Sequence, residues 1–562
     1  MNQAVSLDEA MDPTIQIIFG TQTGTAEDLA YNLADAAEEK GLDVRVSDME
    51  DVDSAQLSRF QYLLVLTSTY GDGDMPDNGV LLWKSLSSGD APPMNNTHFS
   101  VLSLGDSSFP NFCAAGKSWD ERLQELGAHR LCERVDCDND YEVSAEQWEQ
   151  KVIERLLESS APAVEVPGEA DVDAASLQTE SGQNKREKPF VHSASEPMAM
   201  KLREKRCLTK SNSSKEVMHY EFELPETEKA YRTGDTLNLM ARNEPALVNA
   251  LLCFGDYDCE ALVPYKGVER RLGDLLSCAI DLRQPTPKFL EYLAQQSPGG
   301  ELENVLQASA QSVQDFLRGR DVLALLKTYS KSPIPSADLI ALLAPLTPRT
   351  YSIASSASMD SASVALTVAS VRYELDGRAM SGTGSCFLAD RLPVGANVPA
   401  YFSRNRHFTV PEDTTVPVIM IGPGTGIAPF RGFLQERQTQ GATGDNWLFF
   451  GDRNEETDFL YRDELENFRA SGLLTRLDVA FSRDQSEKIY VQHLMRNHSA
   501  TIYAWLERGA HLFVCGDAQK MAVDVEEALL ALIKQERRCS EQEAETYLDS
   551  LRSAHRYERD VY

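Results

Sequence analysis

The chain has 562 residues, which is more than one hydrophobic core accommodates and is typical of about three to four domains. Its 42% of hydrophobic and 25% of charged residues are ordinary for a globular protein and argue against a disordered or disulfide-rich chain. The formal net charge of −33 argues against binding to nucleic acid, because a phosphate-binding surface needs a concentrated basic face.

The first residues and the cysteines indicate the compartment. The segment MNQAVSLDEAMDP lacks the basic start and apolar core of a signal peptide, and no apolar run reaches about 18 residues, so we expect neither secretion nor a membrane span. Ten cysteines lie scattered without paired CxxC spacing, which is typical of free thiols in a reducing compartment. We therefore expect a cytoplasmic protein.

Residues 12–158 alternate short apolar runs with amphipathic sequence. Strands separated by helices in this way predict a parallel, doubly wound sheet. Residues 159–188 are small and polar with little periodicity, which predicts a flexible linker between domains. The parallel sheet is predicted from the apolar runs IQIIFG (15–20), YLLVLTS (62–68) and FSVLSLGD (99–106) and from the helical stretch EDLAYNLADAAEEKG (27–41).

Residues 189–411 contain strand-like segments such as SKEVMHYEFEL and ASVALTVASVRYEL, separated by helix-rich sequence over about 242–335. This pattern predicts a β-barrel with a helical insertion. Residues 412–562 return to apolar runs that end in polar turns, with helices between them, as in VPVIMIGPG and AHLFVCGD. They predict a second parallel α/β domain.

The first predicted strand leads into a loop rich in hydroxyl groups and glycine. Backbone amides and hydroxyls at a helix N-terminus form a phosphate cradle without a basic residue, although such loops also simply cap helices. Two later loops meet it at the carboxyl edge of a parallel sheet, where two aromatic rings could enclose a flat ring; each aromatic alone would more often pack in a core. The residues of the three loops are Thr21, Gln22, Thr23, Gly24, Thr25 and Ala26; Ser68, Thr69, Tyr70 and Gly71; and Leu104, Gly105, Asp106 and Phe109.

These loops resemble the FMN-binding loops of flavodoxin and of the diflavin reductases. TQTGTAE stands where that family has its phosphate loop, and STYGDGDMPDN and LGDSSFPNFC stand where it has its two isoalloxazine loops. The resemblance implies a flavodoxin-like domain that binds FMN. It adds three residues of the last loop to the expected FMN contacts: Asn111, Phe112 and Cys113.

The barrel contains Arg349-Thr350-Tyr351-Ser352, which is similar to the RxYS signature of ferredoxin–NADP reductase-like domains. The resemblance implies that Arg349 meets the FAD pyrophosphate, that Tyr351 packs on the flavin ring and that the Ser352 hydroxyl approaches flavin N5. An arginine guanidinium can donate two parallel hydrogen bonds to a diphosphate, and it stays charged at any working pH. The further FAD contacts that the resemblance implies are Thr367, Val368, Ala369, Tyr373, Gly382, Thr383, Gly384 and Ser385.

The last domain opens with a glycine-rich turn between a strand and a helix. Such a turn is weak evidence alone, because tight turns need glycine whatever they bind. Ser482-Arg483 and Lys488-Ile-Tyr490 resemble the family's pocket for the 2′-phosphate of NADPH. They supply two hydroxyl groups, a guanidinium that can donate two parallel hydrogen bonds, and a charged ammonium. The donor is therefore predicted to be NADPH. The expected contacts are Gly424, Thr425, Ser482, Arg483, Lys488, Tyr490, Gln492 and Asp524.

Four residues are expected to serve hydride transfer. In the family, a cysteine lies beside the nicotinamide, an aspartate near the C-terminus joins it and the RxYS serine in a hydrogen-bonded cluster, and the terminal aromatic stacks on FAD. The resemblance assigns these roles to Cys515, Asp560, Ser352 and Tyr562. The histidines show no metal-ligand spacing such as HExxH, so no metal site is predicted.

The resemblance spans residues 14–562 and implies electron flow from NADPH through FAD and FMN to an external acceptor. The ending RYERDVY is similar to the branch of the family that serves sulfite reductase haemoprotein, its β subunit. An alternative acceptor is a haem monooxygenase or another metalloprotein, which the sequence YGDGD favours. A flavin-binding scaffold without turnover is a remote alternative, which the presence of Ser352, Cys515 and Asp560 opposes.

Overall fold

The computed structural model describes residues 12–562 except 22–23, 72, 108, 110, 140, 161–191, 195, 225–230, 297–298, 309 and 376. Two residues of the first predicted loop, Gln22 and Thr23, therefore lie outside the described residues, as does nearly all of the predicted linker. Within the described ranges, no helix has the length and apolar character needed to cross a bilayer.

The first domain is a parallel sheet with helices on both faces. Its strands follow the order β2-β1-β3-β4-β5, with β6 beside β4, which is the doubly wound order of flavodoxin-like folds. Its strands are β1 (Asp12–Gly20), β2 (Val44–Asp48), β3 (Phe60–Ser68), β4 (His98–Leu104), β5 (His129–Arg130) and β6 (Val135–Cys137). Its helices are α1 (Thr25–Glu39), α2 (Ser54–Leu57), α3 (Val80–Ser87), α4 (Ala114–Glu125) and α5 (Glu142–Ser160).

The second domain is built on a six-stranded antiparallel sheet in the order β12-β9-β16-β7-β8-β13. An antiparallel bridge between Ile353 and Leu366 brings the two end strands together. The interior is apolar, with Tyr220 and Phe222 fully buried. The strands are β7 (Met198–Cys207), β8 (Val217–Glu223), β9 (Thr236–Leu239), β12 (Arg349–Ser352), β13 (Ser363–Ala369) and β16 (Asn397–Ser403), with a hairpin of β14 (Arg372–Leu375) and β15 (Arg378–Ser381) and the short helix α13 (Thr383–Cys386).

A helical insertion with its own apolar core separates β9 from β12. It was predicted to end near residue 335, but one further helix extends it to Leu342, because SADLIAL buries Leu339 and Ile340 against that core. Its elements are α6 (Pro245–Gly255), β10 (Leu262–Tyr265), β11 (Val268–Arg271), α7 (Leu272–Cys278), α8 (Pro287–Gln295), α9 (Glu301–Leu306), α10 (Ala310–Leu317), α11 (Val322–Tyr329) and α12 (Ser336–Leu342).

The third domain is a five-stranded parallel sheet in the order β19-β18-β17-β20-β21, the order of one half of a dinucleotide-binding fold. The last residues of the chain form its edge strand. The strands are β17 (Val418–Ile421), β18 (Asn446–Asp452), β19 (Arg476–Phe481), β20 (His511–Gly516) and β21 (Tyr557–Val561). The helices are α14 (Ile427–Thr439), α15 (Glu455–Asp458), α16 (Arg462–Ala470), α17 (Val491–Asn497), α18 (Ser499–Glu507), α19 (Met521–Arg537) and α20 (Glu541–Ser553).

The first domain packs against both others. Glu27 in α1 forms an ion pair with Arg406, which follows the last barrel strand. Glu50 lies 3.2 Å from His555 Nδ1 of the third domain and 3.7 Å from His407 Nε2 of the second. The two imidazoles stack with centroids 4.0 Å apart and 7° between their planes. Glu50 thus lies where all three domains meet.

Candidate flavin and nucleotide sites

The first loop has the conformation of a phosphate cradle. Gly24 has a φ of 87°, which favours glycine, and its N–H donates to Thr21 Oγ1 at 2.9 Å just before α1 begins. The Thr21 N–H donates to the Asn78 side chain at 2.9 Å, which fixes the loop to the turn before α3. A side chain on Gly24 would approach only Ser403 and Arg404 of the barrel, so the cradle faces the second domain. Thr25 and Ala26 form the first turn of α1.

The second and third loops touch each other. Tyr70 and Asp74 exchange backbone hydrogen bonds at 2.9 and 2.8 Å, closing a turn that contains Gly71. A Cβ on Gly73 would lie 2.8 Å from Asn111 Cβ, so glycine allows the third loop to approach. Ser68 and Thr69 lead into this turn from β3, and Leu104, Gly105 and Asp106 lead into the third loop from β4.

The aromatic residues of these loops differ in their surroundings. Phe109 is 50% exposed, which leaves its ring accessible to a flat ligand. Tyr70 is instead engaged with the third domain, because its hydroxyl donates to the Val561 carbonyl at 2.9 Å. The Phe112 ring lies 5.5 Å from the Lys117 ammonium. The Cys113 thiol is fully buried, and burial raises its pKa to about 11. Only the backbone of Cys113 is therefore available to a ligand.

The barrel places Arg349, Tyr351 and Gly384 in contact. A Cβ on Gly384 would lie 2.7 Å from Arg349 Cγ and 2.9 Å from the Tyr351 hydroxyl, so glycine allows both side chains to pack directly against the start of α13. Arg349 is oriented by Asp281 at 3.1 Å, a residue of the insertion that no sequence motif marked. Gly382, Thr383, Gly384 and Ser385 turn from the hairpin into α13, and the Ser385 hydroxyl accepts the Val371 N–H at 3.1 Å.

A cavity of about 570 Å³ adjoins α13 and is lined by Tyr373, Cys386 and Arg391 among others. Its volume lies within the usual range of cofactor pockets, and Tyr373 is 47% exposed there. Val368 is buried, and the buried Thr367 hydroxyl lies 2.7 Å from the Tyr461 hydroxyl of the third domain. These two side chains point away from solvent, so FAD could meet them and Ala369 only through the backbone. The Thr350 hydroxyl is likewise committed to Asn238, at 2.6 Å.

The predicted hydride-transfer cluster is assembled from three segments. The Ser352 hydroxyl donates to Asp560 Oδ2 at 2.5 Å, and the Cys515 thiol lies 3.7 Å from the same oxygen. Cys515 and Asp560 are register partners on β20 and β21. Burial and the neighbouring Asp560 raise the pKa of Cys515 well above its usual value, and burial raises the pKa of Asp560. The thiol therefore stays protonated, and the Asp560 oxygen accepts from Ser352.

Tyr562 ends the chain beside this cluster. Its N–H donates to the Gly516 carbonyl at 3.0 Å, and its hydroxyl lies 2.8 Å from the Thr425 hydroxyl. The ring is 61% exposed. An exposed terminal aromatic ring next to Asp560 has the accessibility that stacking on a flat ligand requires.

The glycine-rich turn after β17 is shaped for close approach. Gly424 has a φ of 61°, and the nearest atom to an added Cβ would be Lys215 Nζ, at 4.0 Å. A Cβ on Gly426 would clash with the Cys515 carbonyl at 2.1 Å, so the turn packs directly on β20. Lys215 also pairs with Asp452 at 2.6 Å. Sequence analysis missed Lys215, because it lies in the barrel, far along the chain from the turn that it faces.

Most residues of the expected 2′-phosphate pocket lie on one stretch between β19 and α17. Arg483, Lys488 and Tyr490 are exposed, and Arg483 Nη1 donates to Ser214 Oγ at 3.4 Å. The Ser482 N–H donates to the Asp452 carbonyl at 2.9 Å. Two expected contacts are instead paired with each other, since Gln492 Nε2 donates to Asp524 Oδ2 at 2.9 Å.

Comparison with known families defines the class. Residues 17–148 match the flavodoxin family, residues 189–387 match the FAD binding domain family, and residues 420–527 match the oxidoreductase NAD-binding domain family. Flavodoxin, FAD-binding and NAD-binding units in one chain, in this order, define a diflavin reductase architecture. The chain is thus a flavoprotein oxidoreductase that uses FMN, FAD and NADPH.

Full-length relatives specify the family within this class. The sulfite reductase (NADPH) flavoprotein alpha-component of Bacillus subtilis is 39% identical over 556 residues, which are 98% of this chain and 90% of that protein. Proteins of the same name from Shewanella sp. strain ANA-3 and Neisseria meningitidis serogroup B are each 40% identical, over 98% of this chain and 90% and 89% of their own lengths. The chain belongs to the family of sulfite reductase (NADPH) flavoprotein alpha-components.

Proposed function

We propose that this protein accepts hydride from NADPH at FAD, passes electrons to FMN and delivers them to a sulfite reductase haemoprotein, in the cytoplasm. The observation that supports this path most directly is the hydrogen bond of 2.9 Å from Tyr70 of an FMN loop to the carbonyl of Val561, the residue before Tyr562. This contact supports a path in which the proposed FMN loops lie next to the terminal strand that carries Tyr562. The names of the relatives support sulfite reductase as the acceptor.

The residues present fit the three cofactors. The cradle at Gly24 suits the FMN phosphate, the Arg349 guanidinium packed against the start of α13 suits the FAD diphosphate, and Gly424 with Lys215 suits the diphosphate of NADPH. When bound, these groups supply the redox chemistry, and the protein supplies orientation and electrostatics.

In this proposal, the residues around Asp560 hold protons at defined atoms and orient the reacting groups. Ser352 donates to Asp560, which leaves the lone pairs of the Ser352 oxygen free to accept a hydrogen bond from a neighbouring group. The Cys515 thiol stays protonated because burial raises its pKa. It therefore fills space and can donate a weak hydrogen bond, but it does not act as a nucleophile. Both groups contact Asp560, two residues before Tyr562, whose ring would have to move for nicotinamide to enter.

The acceptor is tested by reconstitution. Purified protein loaded with both flavins is mixed with NADPH, sulfite and the haemoprotein subunit of a sulfite reductase, and sulfide is measured. We expect NADPH-dependent sulfide formation that stops when either protein is omitted. A parallel assay with a haem monooxygenase tests the alternative acceptor: faster turnover there, with no sulfide formed, would replace the proposal.

A further inference from the structure

The chain-terminal strand is held from two sides. One edge of β21 pairs with β20, from Leu512–Tyr557 to Gly516–Val561. Its other edge pairs with no strand in the described part of the sheet, where β21 is last in the order. The first domain occupies this side instead. The residues that carry Asp560 and Tyr562 therefore lie between the third domain and the FMN-binding domain.

Two contacts tie the first domain to this strand. The Tyr70 hydroxyl donates to the Val561 carbonyl at 2.9 Å. The Arg559 guanidinium pairs with Asp77, which lies at the end of the second FMN loop just before α3, and with Glu526 of α19 at 3.1 Å. Arg559 and Asp77 are only 23% and 24% exposed, so water screens this pair less than a surface ion pair.

The residues fixed by these contacts are the neighbours of those at the hydride site. Arg559 precedes Asp560, which accepts from Ser352 at 2.5 Å. Val561 precedes Tyr562, whose ring must move aside before nicotinamide can lie on the flavin in the proposed function. Holding residues 559 and 561 restricts the backbone that carries Tyr562. Releasing them lowers the free energy needed to displace the ring.

We propose that docking of the FMN-binding domain clamps the terminal strand through Asp77–Arg559 and Tyr70–Val561, and that this clamp sets nicotinamide selectivity. Asp77 and Arg559 are then positioning residues that act through Tyr562. NADPH, held also through its 2′-phosphate, stays bound long enough for the ring to be displaced, so displacement does not limit its turnover. NADH lacks that contact and dissociates before the clamped ring moves, so displacement limits the turnover of NADH. The inference rests on the proposed hydride transfer to FAD, but not on the identity of the final acceptor.

The test compares two variants of the full-length, flavin-loaded protein. Asp77→Asn removes the clamp pair, and Arg406→Gln removes the Glu27–Arg406 pair, which also joins the first domain to another domain but does not touch β21. Steady-state kinetics with ferricyanide give kcat/KM for NADPH and NADH. We expect Asp77→Asn to raise the NADH/NADPH ratio of kcat/KM at least about fivefold, the lower end of ordinary coupling between sites, and Arg406→Gln to leave it unchanged.

A second comparison isolates the route through Tyr562. Residues that act through one another are non-additive, so Asp77→Asn should have no further effect in a protein that lacks Tyr562. Equal shifts from Asp77→Asn and Arg406→Gln, or a full Asp77→Asn effect without Tyr562, would overturn the clamp. If the Asp77→Asn protein does not retain FMN, Arg559→Gln replaces it in the test. Arg559→Gln must then raise the NADH/NADPH ratio of kcat/KM by a similar factor. Absence of sulfide formation in the reconstitution would refute the proposed acceptor alone and leave this result intact.

Discussion

At the scale of single residues, two buried cysteines differ in whether their neighbours allow a role in the proposed hydride transfer. Cys113 and Cys515 are both fully buried, and burial raises the pKa of both thiols. Cys113 contacts backbone carbonyls inside the first domain, whereas Cys515 lies 3.7 Å from the carboxylate that Ser352 also contacts. Of these two thiols, the second is the one that contacts the proposed hydride-transfer residues.

Arg483 is expected to select the phosphorylated nucleotide. It is exposed, and within the described residues its guanidinium makes a single long contact, 3.4 Å to Ser214 Oγ, so it is available to a phosphate. Arg483→Ala should raise KM for NADPH by at least about tenfold, because a charge-assisted contact is lost, and leave KM for NADH nearly unchanged. Steady-state kinetics with both donors measure this. Equal increases for the two would show that Arg483 serves another purpose.

The loop residues could be predicted from sequence, but their distant partners could not. Thr21 and Gly24 follow a strand and open a helix, so local pattern sufficed to place them. Asp281 and Lys215 come from the insertion and from a barrel loop, and nothing in their surrounding sequence connects them to Arg349 or to Gly424. Such contacts arise from how the domains fold against each other, which a local pattern does not encode.

At the scale of elements, β21 decides how the nicotinamide site opens. In the described part of the sheet β21 pairs with β20 alone, and first-domain contacts hold residues 559 and 561. Tyr562, which follows the strand, is 61% exposed. The Tyr562 side chain, rather than the strand, is therefore the part expected to move during turnover.

Deleting Tyr562 should tighten nicotinamide binding. Part of the binding energy of the cofactor is otherwise consumed in displacing the ring. We expect lower dissociation constants for NADP⁺ and NADPH in titration calorimetry, together with weaker discrimination against NADH in kinetics. If both affinities match those of the full chain, the ring does not occupy the nicotinamide position.

The contact of the three domains at Glu50 should depend on pH. Hydrogen bonds to Glu50 and Glu558 raise the pKa of His555 to about 10, while burial lowers the pKa of the stacked His407, which stays neutral. A raised histidine pKa means that the stabilisation is complete below its ordinary pKa of 6.5 and is lost as pH rises through about 10. Small-angle scattering should therefore show a larger radius of gyration at pH 10 than at pH 7.

His555→Gln provides the control for that measurement. Without the titrating imidazole, the compact arrangement should be weakened already at pH 7, and the change between pH 7 and pH 10 should shrink. An unaltered pH response in this variant would assign the expansion to other groups, such as the interdomain Lys84–Asp549 pair.

The main strands and the order of the domains were predicted correctly, whereas element ends and weak strands were not. IQIIFG and YLLVLTS lie within β1 and β3, because long apolar runs in this order fit only a buried parallel sheet. The half-buried β2 was missed, since VRVSD mixes polar and apolar residues. The insertion, expected over about 242–335, is followed directly by α12 (Ser336–Leu342), whose short sequence SADLIAL carries too little periodicity to be recognised as part of it.

At the scale of the whole molecule, two flavin-binding units in one chain imply two different flavins. We expect one FAD and one FMN for each chain, because the cradle at Gly24 suits a monophosphate and the surface at Arg349 suits a diphosphate. Chromatography of flavins released from the saturated protein measures the ratio. A single flavin species at saturation would contradict the two-site assignment.

The order of the units defines the path of electrons. The proposed hydride site combines Ser352 of the second domain with Cys515 and Asp560 of the third, and none of these residues comes from the first domain. The first domain instead presents its FMN loops to the terminal strand. It is therefore positioned to receive electrons from the hydride site, and delivery to an outside partner requires that it leave this docked position.

A truncated protein that begins at residue 189 tests this path most directly. Reduction of ferricyanide by NADPH should persist at a rate close to that of the full chain, because it requires only the FAD and NADPH sites. Reduction of cytochrome c and of sulfite reductase haemoprotein should be lost, because both depend on the FMN-binding domain. If the truncated protein reduces the haemoprotein at the full-length rate, electrons do not leave through FMN and the account is wrong.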